Sequence, residues 1–271
     1  MNERYQRETI SDHITRITLP GDVFAYLAEG RDKAALIDTG FGIGSLKAYV
    51  EEVLQGKPYI VLLTHGHLDH AGGASEFEEV YMDPADLELA RKHTEKQIRK
   101  DFLKKEIRDE DLMEPKKDGY LPLHDGQAFD LGGETLKIVN LHGHTRGSVG
   151  ILFEEERILL AGDACCSFTL LFGEEDSLSV REYKEELERA WDRYHKDFDT
   201  MIYSHPHNYG GPEVMTEMIE LCEEILEGKD DRVPMEGLFG TKAFIAKLPD
   251  KSGRRRDGKK ADLQYAETSL R

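Results

Sequence analysis

Residues 65–70 read His65-Gly66-His67-Leu68-Asp69-His70, three histidines and an aspartate directly behind the apolar run of residues 59–63. Imidazole nitrogens and carboxylate oxygens at this density are ligands for a divalent metal. They suit zinc, and also iron or manganese, so the cluster defines ligand chemistry better than metal identity. Side chains alternate faces along an extended segment, so His65 and His67 project together. The adjacent Asp69 and His70 turn elsewhere as the chain enters Ala71-Gly72-Gly73. One short loop can therefore serve two metal ions. Its place at a strand end is where loops that carry chemistry sit on rigid scaffolds.

The spacing resembles the HxHxDH signature of the metallo-β-lactamase fold superfamily, and further segments extend the resemblance. Leu141-His142-Gly143-His144-Thr145 is similar to the family's Gly-His-Thr segment, which implies that His144 is the third histidine of the first metal. Ile158-Leu159-Leu160-Ala161-Gly162-Asp163 resembles the step that delivers a metal-bridging carboxylate, here Asp163. Met201-Ile202-Tyr203-Ser204-His205 resembles the closing strand, with His205 completing the second metal, and Asp38 in Leu36-Ile37-Asp38-Thr39-Gly40 matches a motif that braces the metal loops. The resemblance implies an α/β fold: a four-layer αβ/βα sandwich of two mixed β-sheets flanked by helices, with the metal site at one edge of the sheets. It also implies two Zn2+ per chain, with Fe or Mn as the alternative, held by His65, His67, Asp69, His70, His144, Asp163 and His205.

The residues themselves support that convergence, because each candidate ligand follows a β-type apolar run. Residues 138–139 precede His144, 158–160 precede Asp163 and 201–203 precede His205. Ligands so far apart in sequence meet if those strands lie side by side with their ends at one sheet edge. Two choices stay open on spacing alone. His142 lies two residues from His144 and shares its strand face, although the Gly-His-Thr context favours His144. His205 and His207 are related in the same way; His205 comes immediately at the strand end, which leaves His207, with Tyr209, as a candidate substrate contact.

The chemistry expected of such a site is hydrolysis. Two divalent ions about 3.5–4 Å apart bring the pKa of a bridging water toward neutrality, so hydroxide is available without a protein nucleophile. Asp69 is the candidate catalytic group that hydrogen-bonds the hydroxide and carries its proton. The substrate is expected to be a small ester, thioester, lactone, amide or phosphodiester. The alternative is an iron-dependent oxidoreductase on the same fold, diiron or persulfide-dioxygenase-like. His67 bears on that choice: diiron relatives carry glutamate at this position of the motif, whereas mononuclear iron relatives keep the histidines. The likeness to glyoxalase-II-like thioesterases covers residues 64–73 but brings no glutathione-binding pattern at Ser204-His205-Pro206-His207 or in the tail.

Length and composition agree. A chain of 271 residues can bury one substantial α/β core, and a single domain is expected over residues 1–271. Net charge is −18, from 54 acidic and 36 basic residues, which argues against a general nucleic-acid or anionic-membrane surface. A small-molecule substrate and a possible homodimer are the partners expected. The start lacks an apolar signal region and no stretch approaches a membrane span, so a cytoplasmic location is expected. The three cysteines, Cys165, Cys166 and Cys222, form no disulfide framework. Cys165, two residues after Asp163, is either a soft group near the site or a small buried thiol.

Among the positioning elements, strands are expected over residues 13–18, 23–28 and 34–37, and a helix over about 44–54. Asp83-Pro84 opens a helix expected to continue from 85 to about 108, within a helical insertion at about 84–113 that either borders the substrate pocket or covers the sheet. Gly132-Gly133 turns between strands at 128–129 and 136–139. Residues 165–175, with Phe168 and Phe172, are expected to wall the pocket, and helices are expected over 180–194 and 212–226. The one basic tract, residues 251–260, reads as a solvated hairpin turn at Asp257-Gly258, between strands at 241–248 and 261–265.

Overall fold

The computed structural model describes residues 5–103, 107–172, 175–237 and 241–270, and its contacts divide the chain into two compact units, Met1–Ile138 and Val139–Arg271. The first unit is built on a seven-stranded sheet whose strands lie in chain order: β1 (Gln6–Thr9), β2 (Ile14–Leu19), β3 (Val23–Glu29), β4 (Ala34–Ile37), β5 (Tyr59–Leu62), β6 (Val80–Met82) and β7 (Tyr120–Pro122). β1 to β4 form an antiparallel meander, and β4 through β7 run parallel. β3 and β4 are buried on both faces. They therefore read as continuous apolar runs rather than alternating ones. Helix α1 (Leu46–Leu54) makes the crossover from β4 to β5, packing Leu46, Tyr49, Val50 and Leu54 on the sheet. It starts two residues later than the sequence reading because Ser45 stays extended as its cap, accepting from the Ala48 N–H.

β5 delivers the histidine-rich loop, which ends in the one-turn helix α2 (Leu68–Ala71). The insertion that follows β6 corrects one expectation. Instead of one helix over 85–108, a 3-10 turn at Pro84–Asp86 leads into α3 (Leu87–His93) and a separate α4 (Lys96–Leu103). The break falls at Thr94, the C-cap of α3, whose N–H and hydroxyl both donate to the Ala90 carbonyl, at 3.0 and 2.6 Å, a back-bond that bends helices. The redirection turns Arg99 into the interior, where it is fully buried and its guanidinium donates to the carbonyls of Phe41, Gly72 and Met113. Residues 104–106 of the expected helix lie outside the described residues.

A second sheet has the order β13 (Thr200–Ile202), β11 (Ile158–Leu160), β10 (Val149–Phe153), β9 (Thr135–Asn140), β8 (Ala128–Asp130), and the division between units falls inside β9. β11 and β13 are parallel, with Leu160 opposite Ile202, so the segments leading to Asp163 and His205 leave the sheet from the same edge. A third sheet adds to the two implied by the resemblance, in the order β12 (Thr169–Leu171), β16 (Leu263–Ala266), β15 (Lys242–Ile245), β14 (Val233–Glu236). Two of its strands come from the expected tail hairpin, whose antiparallel pairing is present. β12 lies in residues 165–175, where no periodicity announces a strand.

Helices α5 (Val180–Tyr194) and α6 (Glu213–Leu226) match their expected spans closely. α5 opens with a capping box in which Ser179 and Glu182 satisfy each other's backbone N–H groups. Tyr183 and Leu187 of α5 pack with Met218, Leu221 and Cys222 of α6 in one core that also takes in Cys165 and Cys166. All three thiols are buried and unbridged, and burial pushes each above its ordinary pKa, that of Cys166 to about 12. They are neutral packing groups. Among the described residues no helix is long and apolar enough to cross a membrane.

At the foot of β16, Asp262 is 6% exposed and its Oδ1 accepts from the backbone N–H groups of Leu263 and Lys247. Burial nevertheless raises its pKa to about 7, a shift that Asp257 reinforces and Arg255 opposes. An unfolded aspartate titrates near 4, so the folded chain binds the extra proton and loses stability as pH rises from about 4 to 7. Asp262→Asn keeps the accepting oxygen without the charge. It is expected to raise stability by on the order of 2 kcal/mol at pH 8 and by little at pH 4.5, as read by urea unfolding at both values.

Candidate metal centre

In the first unit the histidine-rich loop is held from three directions. Asp38, at the end of β4, is 1% exposed and takes a left-handed backbone with φ +64°, which costs on the order of 1–3 kcal/mol and brings its carboxylate under the loop. Its Oδ1 accepts the Thr64 N–H at 2.8 Å, and its Oδ2 accepts both the Thr64 hydroxyl at 2.8 Å and the His70 Nδ1–H at 2.8 Å. The Thr64 hydroxyl has one proton and gives it to Asp38, so in its 3.0 Å contact with His65 Nδ1 it is the acceptor. One buried carboxylate thereby sets the tautomer of two histidines. Both His65 and His70 keep Nδ1 protonated and present the lone pair of Nε2, the arrangement that prepares an imidazole to ligate metal.

The other two supports come from the backbone and from the insertion. Thr39 binds the His70 carbonyl twice, through its N–H and its hydroxyl, each at 2.7 Å. Gly72 passes so close to Phe41 that a Cβ there would lie 2.6 Å from the Phe41 carbonyl carbon, which restricts the position to glycine. From the insertion, the buried Asp86 accepts the Gly66 N–H at 2.8 Å, and the His93 ring stacks on His67 with centroids 5.1 Å apart. The insertion thus borders the candidate metal loop. Sequence reading missed Asp86 and His93, since Asp83-Pro84-Ala85-Asp86 reads as an ordinary helix start.

The loop's donors converge. His65 Nε2 and His67 Nδ1 face each other at 3.1 Å, and Asp69 Oδ2 lies 3.6 Å from His70 Nε2. The 3.1 Å contact fits a hydrogen bond from His67 Nδ1–H to the His65 Nε2 lone pair, and equally two lone pairs turned to a shared cation.

The second unit holds the remaining three candidates. His144 is 4% exposed, and its Nδ1–H donates to the Leu170 carbonyl of β12 at 2.9 Å, so it too presents Nε2. The strand missed in sequence reading therefore fixes this ring. Gly143, just before it, allows close approach to α5: a Cβ there would lie 2.0 Å from the Tyr183 ring. Asp163 Oδ2 lies 3.1 Å from His205 Nε2 and 4.0 Å from His144 Nε2, so one carboxylate oxygen faces both histidines. His142 is not in this group. His207, exposed and with φ +72°, lines a cavity with Tyr209.

Both donor sets fit divalent metal. Each combines imidazole with carboxylate, most of the histidines are held in one tautomer, and Asp69 and Asp163 retain limited access to solvent at 15% and 16% side-chain exposure.

Comparison with known proteins agrees with this chemistry. The model of the metallo-beta-lactamase superfamily matches residues 18–207. The chain is 26% identical over 171 residues to the human acyl-coenzyme A thioesterase MBLAC2, covering 54% of this chain and 59% of that protein. It is 32% identical over 151 residues to the atrochrysone carboxyl ACP thioesterase of Aspergillus fumigatus, covering 55% and 30%, and 30% identical over 134 residues to the hydroxyacylglutathione hydrolase GloC of Haemophilus influenzae, covering 48% and 60%. The matches thus span no more than about 60% of these relatives' lengths. Among solved structures, a metallo-beta-lactamase from Pontibacter korlensis superposes with a TM-score of 0.59 at 18% identity, covering 81% of this chain and 99% of that one, which shows a shared fold.

Proposed function

Because this chain belongs to the metallo-β-lactamase superfamily, we propose that it is a metal-dependent hydrolase that cleaves thioesters. In this reading His65, His67, Asp69 and His70 of the first unit and His144, Asp163 and His205 of the second would be the residues that hold two zinc ions. The observation that carries it is the Asp38–Thr64 relay, which presets the Nε2 lone pairs of both His65 and His70. A solvated polar loop has no use for a buried carboxylate that selects histidine tautomers. When bound, two zinc ions supply a water ionised near neutral pH and polarise the carbonyl oxygen of the substrate.

The chain's residues do the rest. Asp69 accepts the proton of the attacking water at its carboxylate and holds it while the acyl carbon becomes tetrahedral. Asp38 stays buried under the loop and keeps its bonds to Thr64 and His70, so that His70 and His65 keep their orientation throughout. A thiol is acidic enough, with a pKa near 8.5, to depart as thiolate unassisted. Thioester cleavage therefore asks only for a proton acceptor, whereas an amine leaving group also requires a proton donor. The named relatives that act on thioesters support the same substrate class. Histidine at position 67, rather than glutamate, favours zinc over a diiron pair.

The test is a panel of initial rates for the zinc-loaded protein on an acyl thioester, a lactone, a β-lactam and a phosphodiester. The thioester is expected to lead by at least about tenfold, a difference of about 1.4 kcal/mol in barrier. Turnover led by another bond class overturns the thioester assignment, and oxygen uptake by an iron-loaded protein with no hydrolysis overturns the hydrolase.

A further inference from the structure

The second unit contains a cavity of about 470 Å³ that lies beside the candidate ligands in sequence. Such a volume suits a small-molecule site. Its walls include Ser167, four residues after Asp163, and His207 and Tyr209, two and four residues after His205. The basic hairpin turn also lines it, contributing Arg254 and Lys260, together with Asp262. Ser167 ties two of the walls together by donating its hydroxyl to Asn208 Oδ1 at 2.7 Å.

The turn's cations differ in their commitments. Arg255 is buried and spent on Asp257 and the Ala261 carbonyl, Lys259 on Glu220, and Lys260 on Glu213. Arg254 has an exposed side chain with its guanidinium 4.6 Å above the Tyr209 ring; Asp250 accepts its backbone N–H at 3.1 Å and attracts its charge, and no ion pair to the guanidinium is formed among the described residues. Stacking on an aromatic face holds a guanidinium in place and leaves its N–H edge available, which is how arginine recognises phosphate. In a chain of net charge −18, a cavity whose lining holds Arg254, Arg255 and Lys260 against the one carboxylate of Asp262 is a local exception to the surrounding field.

We propose that this cavity binds the phosphate-bearing arm of the substrate's carrier thiol, with Arg254 as the phosphate contact and Tyr209 as its support. The inference rests on the thioesterase reading for its substrate class, and it places the phosphate on the side of the site formed by the segments that follow Asp163 and His205. The ligand chemistry is a phosphate ester of a pantetheine-type thiol, carried either by a nucleotide or by a carrier protein.

Calorimetric titration of the full chain with coenzyme A, 4′-phosphopantetheine and pantetheine tests it without any turnover. Coenzyme A is expected to bind at least about tenfold more tightly than pantetheine, and Arg254→Ala is expected to remove that difference while leaving pantetheine binding unchanged. Because Arg254 is exposed, the variant is expected to fold, and circular dichroism checks this. If 4′-phosphopantetheine matches coenzyme A, the phosphate comes from a carrier-protein arm; if coenzyme A binds more tightly, the nucleotide takes part. Equal affinity for coenzyme A and pantetheine, no binding of either, or an Arg254→Ala protein that binds coenzyme A as the parent does overturns the proposal. Phosphate-dependent binding combined with inactivity on thioesters leaves this site standing and removes the thioesterase reading instead.

Discussion

Asp163→Ala is expected to lower thioester hydrolysis by about a thousandfold or more while leaving the thermal unfolding of the apoprotein nearly unchanged. Asp163 Oδ2 is the oxygen that faces both His205 and His144. In the proposed site it would be a ligand of the metal pair, and its loss would remove both a donor and a negative charge that zinc binding requires. Several kcal/mol of transition-state stabilisation are at stake, at about 1.4 kcal/mol per tenfold. The side chain is 16% exposed and lies near the buried Cys166, where an alanine methyl is tolerated, so the fold has little to lose. The discriminating measurement pairs kcat with metal content: metal and rate should fall together. A variant that keeps full activity contradicts the role assigned to this carboxylate.

The second large effect is on stability. Arg99→Met is expected to destabilise the protein by about 3–4 kcal/mol, because the carbonyls of Phe41, Gly72 and Met113 all lose a charged donor inside the first unit. Burial pulls the Arg99 pKa down only to about 10, so the cation is present at neutral pH. Gly72 closes the turn that begins with His67, so the same substitution loosens the end of the candidate metal loop. At about 2–4 °C per kcal/mol, the expected fall in Tm is roughly 10 °C. Arg99→Lys recovers only part of it, since an ammonium cannot span three carbonyls in the plane of a guanidinium. A Tm within about 2 °C of the parent would show that water satisfies those carbonyls instead.

The candidate ligands were legible in the sequence because their chemistry is local. Histidine and aspartate crowded into residues 65–70, and Asp163 and His205 at the ends of apolar runs, announce donors before any fold is known. The strands of the first sheet were legible for a related reason: β3 and β4 are buried on both faces and read as unbroken apolar runs. What was not legible depends on tertiary partners. Thr94 looks like any helical residue until its hydroxyl is seen to bind Ala90, and Arg99 looks like a surface cation until the chain turns it inward. Likewise β12 is three residues long and gains strand character only by pairing with β16, yet its Leu170 carbonyl fixes His144. The basic tract was correctly placed in a hairpin turn, but charge alone could not distinguish solvated cations from Arg254 over Tyr209.

The central claim is that the two donor sets hold a pair of zinc ions, and native mass spectrometry of the full chain, purified and then equilibrated with limiting zinc, tests it most directly. The account predicts a species with two zinc ions per chain, reduced in both the His65→Ala and the Asp163→Ala proteins. A parent protein that binds no zinc, or whose metal content is the same in both variants, would contradict it.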